Sequence, residues 1–322
     1  MKDKSRSGLI RPSTRAFIQE ARRTPGFSLF DWLHGYVYAR WPYLYIGIGA
    51  GEHPLARVFG PPVRLLGRLI PKRSDGGDRG AYAKGASGTY ADGYHGKVVP
   101  LEAAKQLVTV KEDVDLRDLE QTIPYPMARD IVLKNPDHIV VLECACRTVR
   151  PDPCEPLDVC LLIGEPFASF VFEHHPRRSR MISQAEAVEI LQAEHERGHV
   201  HHAFFKDAML GRFYAICNCC SCCCGAMRSW QRGIPMLASS GYVARVDEVL
   251  CAGCGQCADH CQFEAIAVDN GYACVNVAAC MGCGVCVSHC PQEAISLLRD
   301  PAKGEPLEIQ QLIAHAAQVT ER

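Results

Sequence analysis

Residues 216–227, ICNCCSCCCGAM, place six cysteines in eight positions: Cys217, Cys219, Cys220, Cys222, Cys223 and Cys224. Further on, Cys251, Cys254, Cys257 and Cys261 recur 29 residues later as Cys280, Cys283, Cys286 and Cys290. The 322-residue chain has 19 cysteines, an odd number, and most lie one to four positions from the next. A disulfide framework would pair them all and is typical of small secreted domains. Short thiol spacings in a long chain suit metal or cluster ligation in a reducing compartment instead.

The 29-residue repeat extends beyond its thiols. His260 maps onto His289, Glu264 onto Glu293, and Ala265-Ile266 onto Ala294-Ile295. Each half reads C-x2-C-x2-C-x3-C between short strand-like runs, YVARV and AIAV in the first, YACVNV and AISL in the second. This spacing resembles that of a bacterial two-cluster ferredoxin, in which the fourth thiolate of each triplet serves the other cluster. The resemblance covers residues 241–300. It implies one [4Fe–4S] cluster on Cys251, Cys254, Cys257 and Cys290, and a second on Cys280, Cys283, Cys286 and Cys261. One departure is visible: Pro291 follows Cys290, but Gln262 follows Cys261. The alternatives are zinc ribbons or inert buried cysteines, and neither requires a duplicated triplet plus one.

The dense stretch hides the same triplet as Cys217, Cys220 and Cys223, interleaved with the pair Cys219 and Cys222. Neighbouring side chains are expected to point apart, so the two sets should face different ways. Neither set completes a cube. CACRTVRPDPCEPLDVC offers Cys144, Cys146, Cys154 and Cys160, on a loop stiffened by three prolines. Two readings stay open: one or two further [4Fe–4S] clusters shared by these segments, or one cluster with zinc or free thiols. Cys274 fits no motif and reads as a small core residue. The CxCR segment, the IS..EA..IL helix and the CNCCxCCC run ahead of the repeat resemble a group of prokaryotic 4Fe–4S binding proteins over residues 125–300. That resemblance implies iron–sulfur electron transfer.

The elements that must carry these thiols read as α+β, with four regions and a tail. Residues 1–73 are basic and aromatic, and 74–96 hold seven glycines and read as a linker. Residues 97–240 form a mixed α/β cysteine-rich domain, 241–300 the ferredoxin fold, and 301–322 a tail. MARDIVLKNPD reads as a helix ending before Pro136, and HIVVLECACR as a strand. The helix from Gln184 opens with Ser183 as N-cap and Glu186 three residues later. Gly198 closes it before the extended HVHHAFF, an order compatible with a winged-helix-like element. His195 and His199, one turn apart, and His201 and His202 could be ligands. A solvated helix end is the plainer reading.

Residues 1–73 carry 13 Lys and Arg against 4 Asp and Glu; the remaining residues carry 22 against 32. Such segregation reports on partners. FDWLHGYVYARWPYLYIGIGAG, residues 30–51, has Arg40 and Pro42 near its centre, which argues against a membrane span. In PVRLLGRLIPKR, Arg64 and Arg68 lie on one helical face against Leu65, Leu66, Leu69 and Ile70. The readings for residues 30–73 are docking on a redox partner, peripheral contact with an anionic membrane surface, or burial in a core. The N-terminus lacks the apolar run of a signal peptide, which predicts a cytoplasmic protein, with any membrane contact peripheral and at the inner face.

The leading function is an iron–sulfur electron carrier or wiring subunit of an oxidoreductase complex, with dehydrogenase or reductase partners. The alternative is a thiol or disulfide reductase subunit using residues 217–224. No nucleotide fingerprint or nucleophile–base pattern supports independent catalysis. An iron–sulfur regulator is the third reading. Residues 183–199 are acidic, with four glutamates against Arg197, so nucleic acid is not expected as a partner.

Overall fold

The computed structural model describes residues 10–54 and 90–320. Helices α1 (Pro12–Arg23), α2 (Leu29–Arg40) and α3 (Pro42–Ala50) come first. Then follow β1 (Tyr94–Val99), α4 (Leu101–Val108), β2 (Val114–Leu116), β3 (Ile131–Glu143), α5 (Ala145–Thr148), β4 (Asp158–Glu165), α6 (Phe167–His174) and β5 (Ser179–Ile182). The central run is α7 (Gln184–Glu196), β6 (Val200–Lys206), β7 (Arg212–Cys219), α8 (Gly225–Gln231) and β8 (Leu237–Ala238). The repeat supplies β9 (Tyr242–Val246), α9 (Gln256–Asp259), β10 (Ile266–Asp269), β11 (Tyr272–Val275), α10 (Val285–Ser288) and β12 (Ile295–Arg299), and α11 (Ile309–Thr320) ends the chain.

Eight strands form one sheet in the order β2-β3-β4-β7-β6-β1-β8, with β5 also paired to β3. All pairings are antiparallel except β1 with β8. Residues 131–135, expected as part of a helix, are strand. Ile131, Val132 and Leu133 are buried and pair with β2, Lys134 begins the pairing with β4, and these partners override local helix propensity. The register slips between Lys134 and Ile139, and Asn135 at φ 48° takes up the irregularity at the expected break.

Helices cover both faces. On one, α1, α2 and α6 interlock through Phe17, which meets Phe167 and Phe170 edge-on. On the other, α4 and α7 pack together, and His195 of α7 stacks on His201 of β6. Ser183 caps α7 by accepting from the Glu186 N–H at 3.1 Å, while the Glu186 carboxylate pairs with Arg180 rather than closing the box. Gly198 follows the helix at φ 82°. Helix, turn and strand do occur in the expected order, but β6 lies inside the large sheet, which is not a winged-helix arrangement.

The expected boundaries shift. Residues 55–89, with most of the predicted linker and the Arg64/Arg68 segment, lie outside the described residues. Tyr94, His95 and Gly96, the end of that linker on the sequence reading, belong to the strand Tyr94–Val99, whose side chains are almost all buried. The expected tail is packed as well: Leu307 and Ile309 are buried, and fully buried Lys97 donates to the Glu305 carbonyl at 2.7 Å. The aromatics of α2 and α3 mostly face inward. Tyr38 bonds Tyr214 at 2.7 Å, and the Tyr43 hydroxyl donates to the Glu143 carbonyl at 3.0 Å. Core packing therefore accounts for these rings, whereas Leu29, Phe30 and Leu33 on α2 stay exposed.

Candidate metal centres

In the repeat, β9 pairs with β12 and β10 with β11, so the first strand of one half lies beside the last strand of the other. This crossing delivers each fourth cysteine to the opposite triplet. Cys251, Cys254, Cys257 and Cys290 line one enclosed void, together with Ala273 and Pro291. Cys280 and Cys261 lie within electrostatic reach of Cys283 and Cys286, which completes the second set. Backbone N–H groups point at the sulfurs: Ala265 to Cys261 at 3.2 Å, Ala294 to Cys290 at 3.3 Å, Ala273 to Cys251 at 3.4 Å and Ala244 to Cys280 at 3.5 Å. Gly253 and Gly282 hold positive φ where a Cβ would run into the Gly271 and Tyr242 carbonyls, so only glycine lets each loop wrap so closely.

These residues fit [4Fe–4S] clusters. Four thiols converge on an enclosed space, and amide dipoles face the sulfurs that would carry negative charge. Burial pushes the Cys283 thiol up to about 12 and raises Cys257. Bound iron would deprotonate such thiols and offset that burial cost.

The ten upstream cysteines divide differently from the interleaved sets read off their spacing. Cys217 and Cys219 are on β7, where alternate residues share a face. Cys220, Cys222 and Cys223 lie in the turn that follows, and Cys224 is the N-cap of α8. The end of the strand, and not the C-x2-C period, decides which way each thiol points. Cys154, Cys220, Cys222 and Cys223 therefore meet, with all four Sγ atoms within 4.8 Å of one another. Cys154 and Cys222 are 3.1 Å apart, and Cys222 and Cys223 3.7 Å. Adjacent cysteines do face one centre here, because a turn lacks the alternation of a strand.

The other six follow one another as neighbours around a buried chamber, and the series is closed only electrostatically, by Cys217 near Cys219. Cys217 pairs directly opposite Cys160 in the sheet, and Cys160 adjoins Cys144. Cys144 adjoins Cys146, Cys146 adjoins Cys224, and Cys224 adjoins Cys219. Tyr38 approaches Cys217 and Cys146, and Tyr43 approaches Cys160, so the N-terminal helices roof this chamber. Cys144 is held well below the ordinary thiol range by hydrogen bonds from Cys146 and Cys160, against burial, with help from the Arg147 backbone and guanidinium.

Arg147 is the buried cation between the two groups, 1 % exposed and electrostatically coupled to Cys144 and Cys220. It donates to Glu194 at 2.7 Å and to the Asn218 carbonyl at 3.0 Å. His199 also bonds Glu194, at 2.7 Å, and His195 bonds Ser288 at 2.6 Å. These histidines are buried polar links and not a solvated helix end: α7 is covered by the C-terminal repeat on its C-terminal turn. His201 bonds Asn218, while neither ring nitrogen of fully buried His202 has a well-formed partner, the Val200 backbone being the polar group beside it. Among the described residues, no histidine joins a converging metal-ligand group.

Gln262, where the second half has proline, has a physical role. Its amide donates to the Gly198 carbonyl at 3.1 Å and accepts from the Ser221 N–H at 2.8 Å. The turn after Cys261 is thereby tied to the loop between Cys220 and Cys222. Arg147 was not picked out as part of the site, and Cys224 was placed in neither interleaved set; Cys224 falls outside the triplets, and Arg147 matters only through tertiary neighbours. Cys274 is a half-buried strand residue opposite Ala267.

Comparison with known families matches the 4Fe–4S binding domain to residues 244–267 and 273–296, one match per repeat. No curated protein and no solved structure matches the chain. The C-terminal domain is thus an iron–sulfur domain of two repeats, which supports [4Fe–4S] clusters and an electron-transfer role. Among the described residues, no helix is long and apolar enough to cross a membrane.

Proposed function

We propose that the chain is an electron-transfer relay, or the wiring subunit of an oxidoreductase, in which a two-cluster ferredoxin module passes electrons to and from a second metal-bearing domain. The observation that carries this reading is the Gln262 bridge between the Cys261 turn and Ser221 in the upstream thiol loop. In the ferredoxin module, Cys251, Cys254, Cys257 and Cys290 would hold one cluster and Cys280, Cys283, Cys286 and Cys261 the other. All-cysteine cubes supply reversible one-electron exchange without an open position for substrate. The protein's own contribution is to desolvate the thiolates, aim N–H groups at them and keep the two domains in register.

Redox proteins are the expected partners. The exposed Leu29, Phe30 and Leu33 on α2, 79 %, 75 % and 51 % accessible, support a docking surface there, preceding the basic 55–73 segment. Contact with an anionic membrane, at the inner face of a cytoplasmic protein, is tested by flotation with anionic vesicles at low salt. Reductive titration of the anaerobic protein, followed by electron paramagnetic resonance, tests the main reading. Reversible one-electron uptake and delivery to an added one-electron acceptor are expected; irreversible reduction, or none, overturns it.

One observation favours the thiol-reductase reading: Cys222 is exposed and lies 3.1 Å from Cys154. Turnover of a disulfide substrate with a chemical reductant, abolished by Cys222→Ser, would move the function there.

A further inference from the structure

Ten upstream thiols in two groups sharpen the question that spacing left open: whether both groups hold the same kind of centre. We propose that they do not. Cys154, Cys220, Cys222 and Cys223 form a single-ion tetrathiolate site suited to zinc, and the six-thiol ring forms a separate, buried iron–sulfur site. The inference deepens the electron-transfer reading and rests on it for the iron of the ferredoxin module.

Sulfur separation makes the first distinction. Zinc–sulfur bonds of about 2.3 Å place the corners of a tetrahedron ~3.8 Å apart. The four Sγ atoms around Cys154 lie within 4.8 Å of one another, with contacts of 3.1 and 3.7 Å. A cube holds its four thiolates further apart, because four irons and their bridging sulfides stand between them. In the ferredoxin module the same residue type is spread around an enclosed void, and no four of those thiols close to single-ion range. The site is also at the surface, with Cys222 exposed, and it fastens the 154 loop to the 220–223 turn beside the Gln262 bridge. A redox-inert ion suits a clamp in that place.

The chamber has the opposite character. Cys144, Cys146, Cys160, Cys217, Cys219 and Cys224 adjoin in sequence around it, yet no three of them converge within single-ion range. A ring of that kind needs a polynuclear occupant to bridge it. It is buried under Tyr38 and Tyr43 and carries two thiols more than one cube uses.

A second, independent observation points to an occupant. Cys160, Cys217 and His202 lie in one row across β4, β7 and β6 on the roofed face. His202 is 0 % exposed and its ring nitrogens lack well-formed partners. Buried donors are rarely left so. An imidazole N–H beside the ring would donate to a cluster sulfur, which makes His202 a positioning residue for the chamber.

The test is iron, acid-labile sulfide and zinc per chain, on anaerobically purified full-length protein and two double variants. One zinc and at least about twelve iron atoms, at four per cube, are expected for the parent. Cys154→Ser/Cys222→Ser should lose the zinc and keep all the iron. Cys217→Ser/Cys219→Ser should keep the zinc and lose four or more irons, with the eight of the ferredoxin module retained as an internal check on folding. Iron lost and no zinc affected in the first variant would make the four-thiol site a cube and overturn the division. About eight irons in the parent would overturn the chamber while leaving the ferredoxin reading intact; fewer than eight would strike that reading itself. His202→Leu should retain the iron and shift the potential and paramagnetic signal of the chamber cluster alone; an unchanged signal would remove His202 from the site.

Discussion

In the ferredoxin module each thiol arrives on a loop of fixed spacing, three from one half of the repeat and one from the other. In the upstream domain the same residue type arrives on two strands, a turn, two short helices or their caps, and one loop. The first arrangement is local enough for the spacing to dictate it. The second exists only because β4 and β7 pair, placing Cys160 opposite Cys217, while the loop of Cys154 reaches the turn after β7. One residue type thus gives spread groups of thiols in one region and a tight tetrad beside an open series of thiols in the other. Cysteine density alone does not specify the centre; the backbone that delivers the thiols does.

The sharpest way to break the comparison is to remove one crossed ligand. Cys290→Ser should deplete the iron held with Cys251, Cys254 and Cys257, about four atoms, and leave upstream zinc unchanged. Iron analysis with zinc on the same sample checks it. Loss of metal from the upstream domain as well would mean that the two regions fold as one unit.

Next comes the buried cation that belongs to the upstream region alone. Arg147→Leu should destabilise the large-sheet domain by about 3 kcal/mol, because Glu194 and the Asn218 carbonyl lose their buried donor. Denaturant unfolding read by tryptophan fluorescence should show the loss, with ferredoxin iron retained at low denaturant.

The joint between the regions has a pH signature. Burial, with Arg299 nearby, depresses Lys97 to about 7, while Glu305 acts weakly the other way. The unfolded lysine titrates near 10.4, so between those values the unfolded chain binds more protons and stability rises with pH. Parent protein should gain about 3 kcal/mol relative to Lys97→Met from pH 7 to pH 10. Parallel slopes for the two proteins would rule Lys97 out as the cause.

The smallest effect concerns the bridge. Gln262→Pro restores the residue found after Cys290 and removes two hydrogen bonds between the regions, worth about 1–2 kcal/mol together. All metals should stay bound, while hydrogen exchange at the Ser221 amide speeds up. Unchanged protection there would show that the regions are held together by other contacts, such as Trp230 against Phe263.

The residues at 29-residue offset were enough to read a two-repeat 4Fe–4S binding domain at the C-terminal end, because triplet, glycine and fourth cysteine all lie within one short loop-and-helix unit. The capped start of α7 and its glycine stop were legible for the same reason: capping is a property of a few consecutive residues. The strand at 131–135 was not, since pairing partners outside the segment outweighed its local pattern. Nor was the burial of the N-terminal aromatics, which read equally as docking surface, membrane contact or core until the sheet beneath them was known. By itself, the sequence determined that this chain has thiol chemistry and a duplicated cluster-binding unit. Only the tertiary structure decided how the ten upstream thiols divide, that an arginine is buried between them, and why glutamine stands after Cys261. Those features depend on side-chain direction and contact between segments some fifty to seventy residues apart, such as Cys154 and Cys222, and no local spacing encodes them.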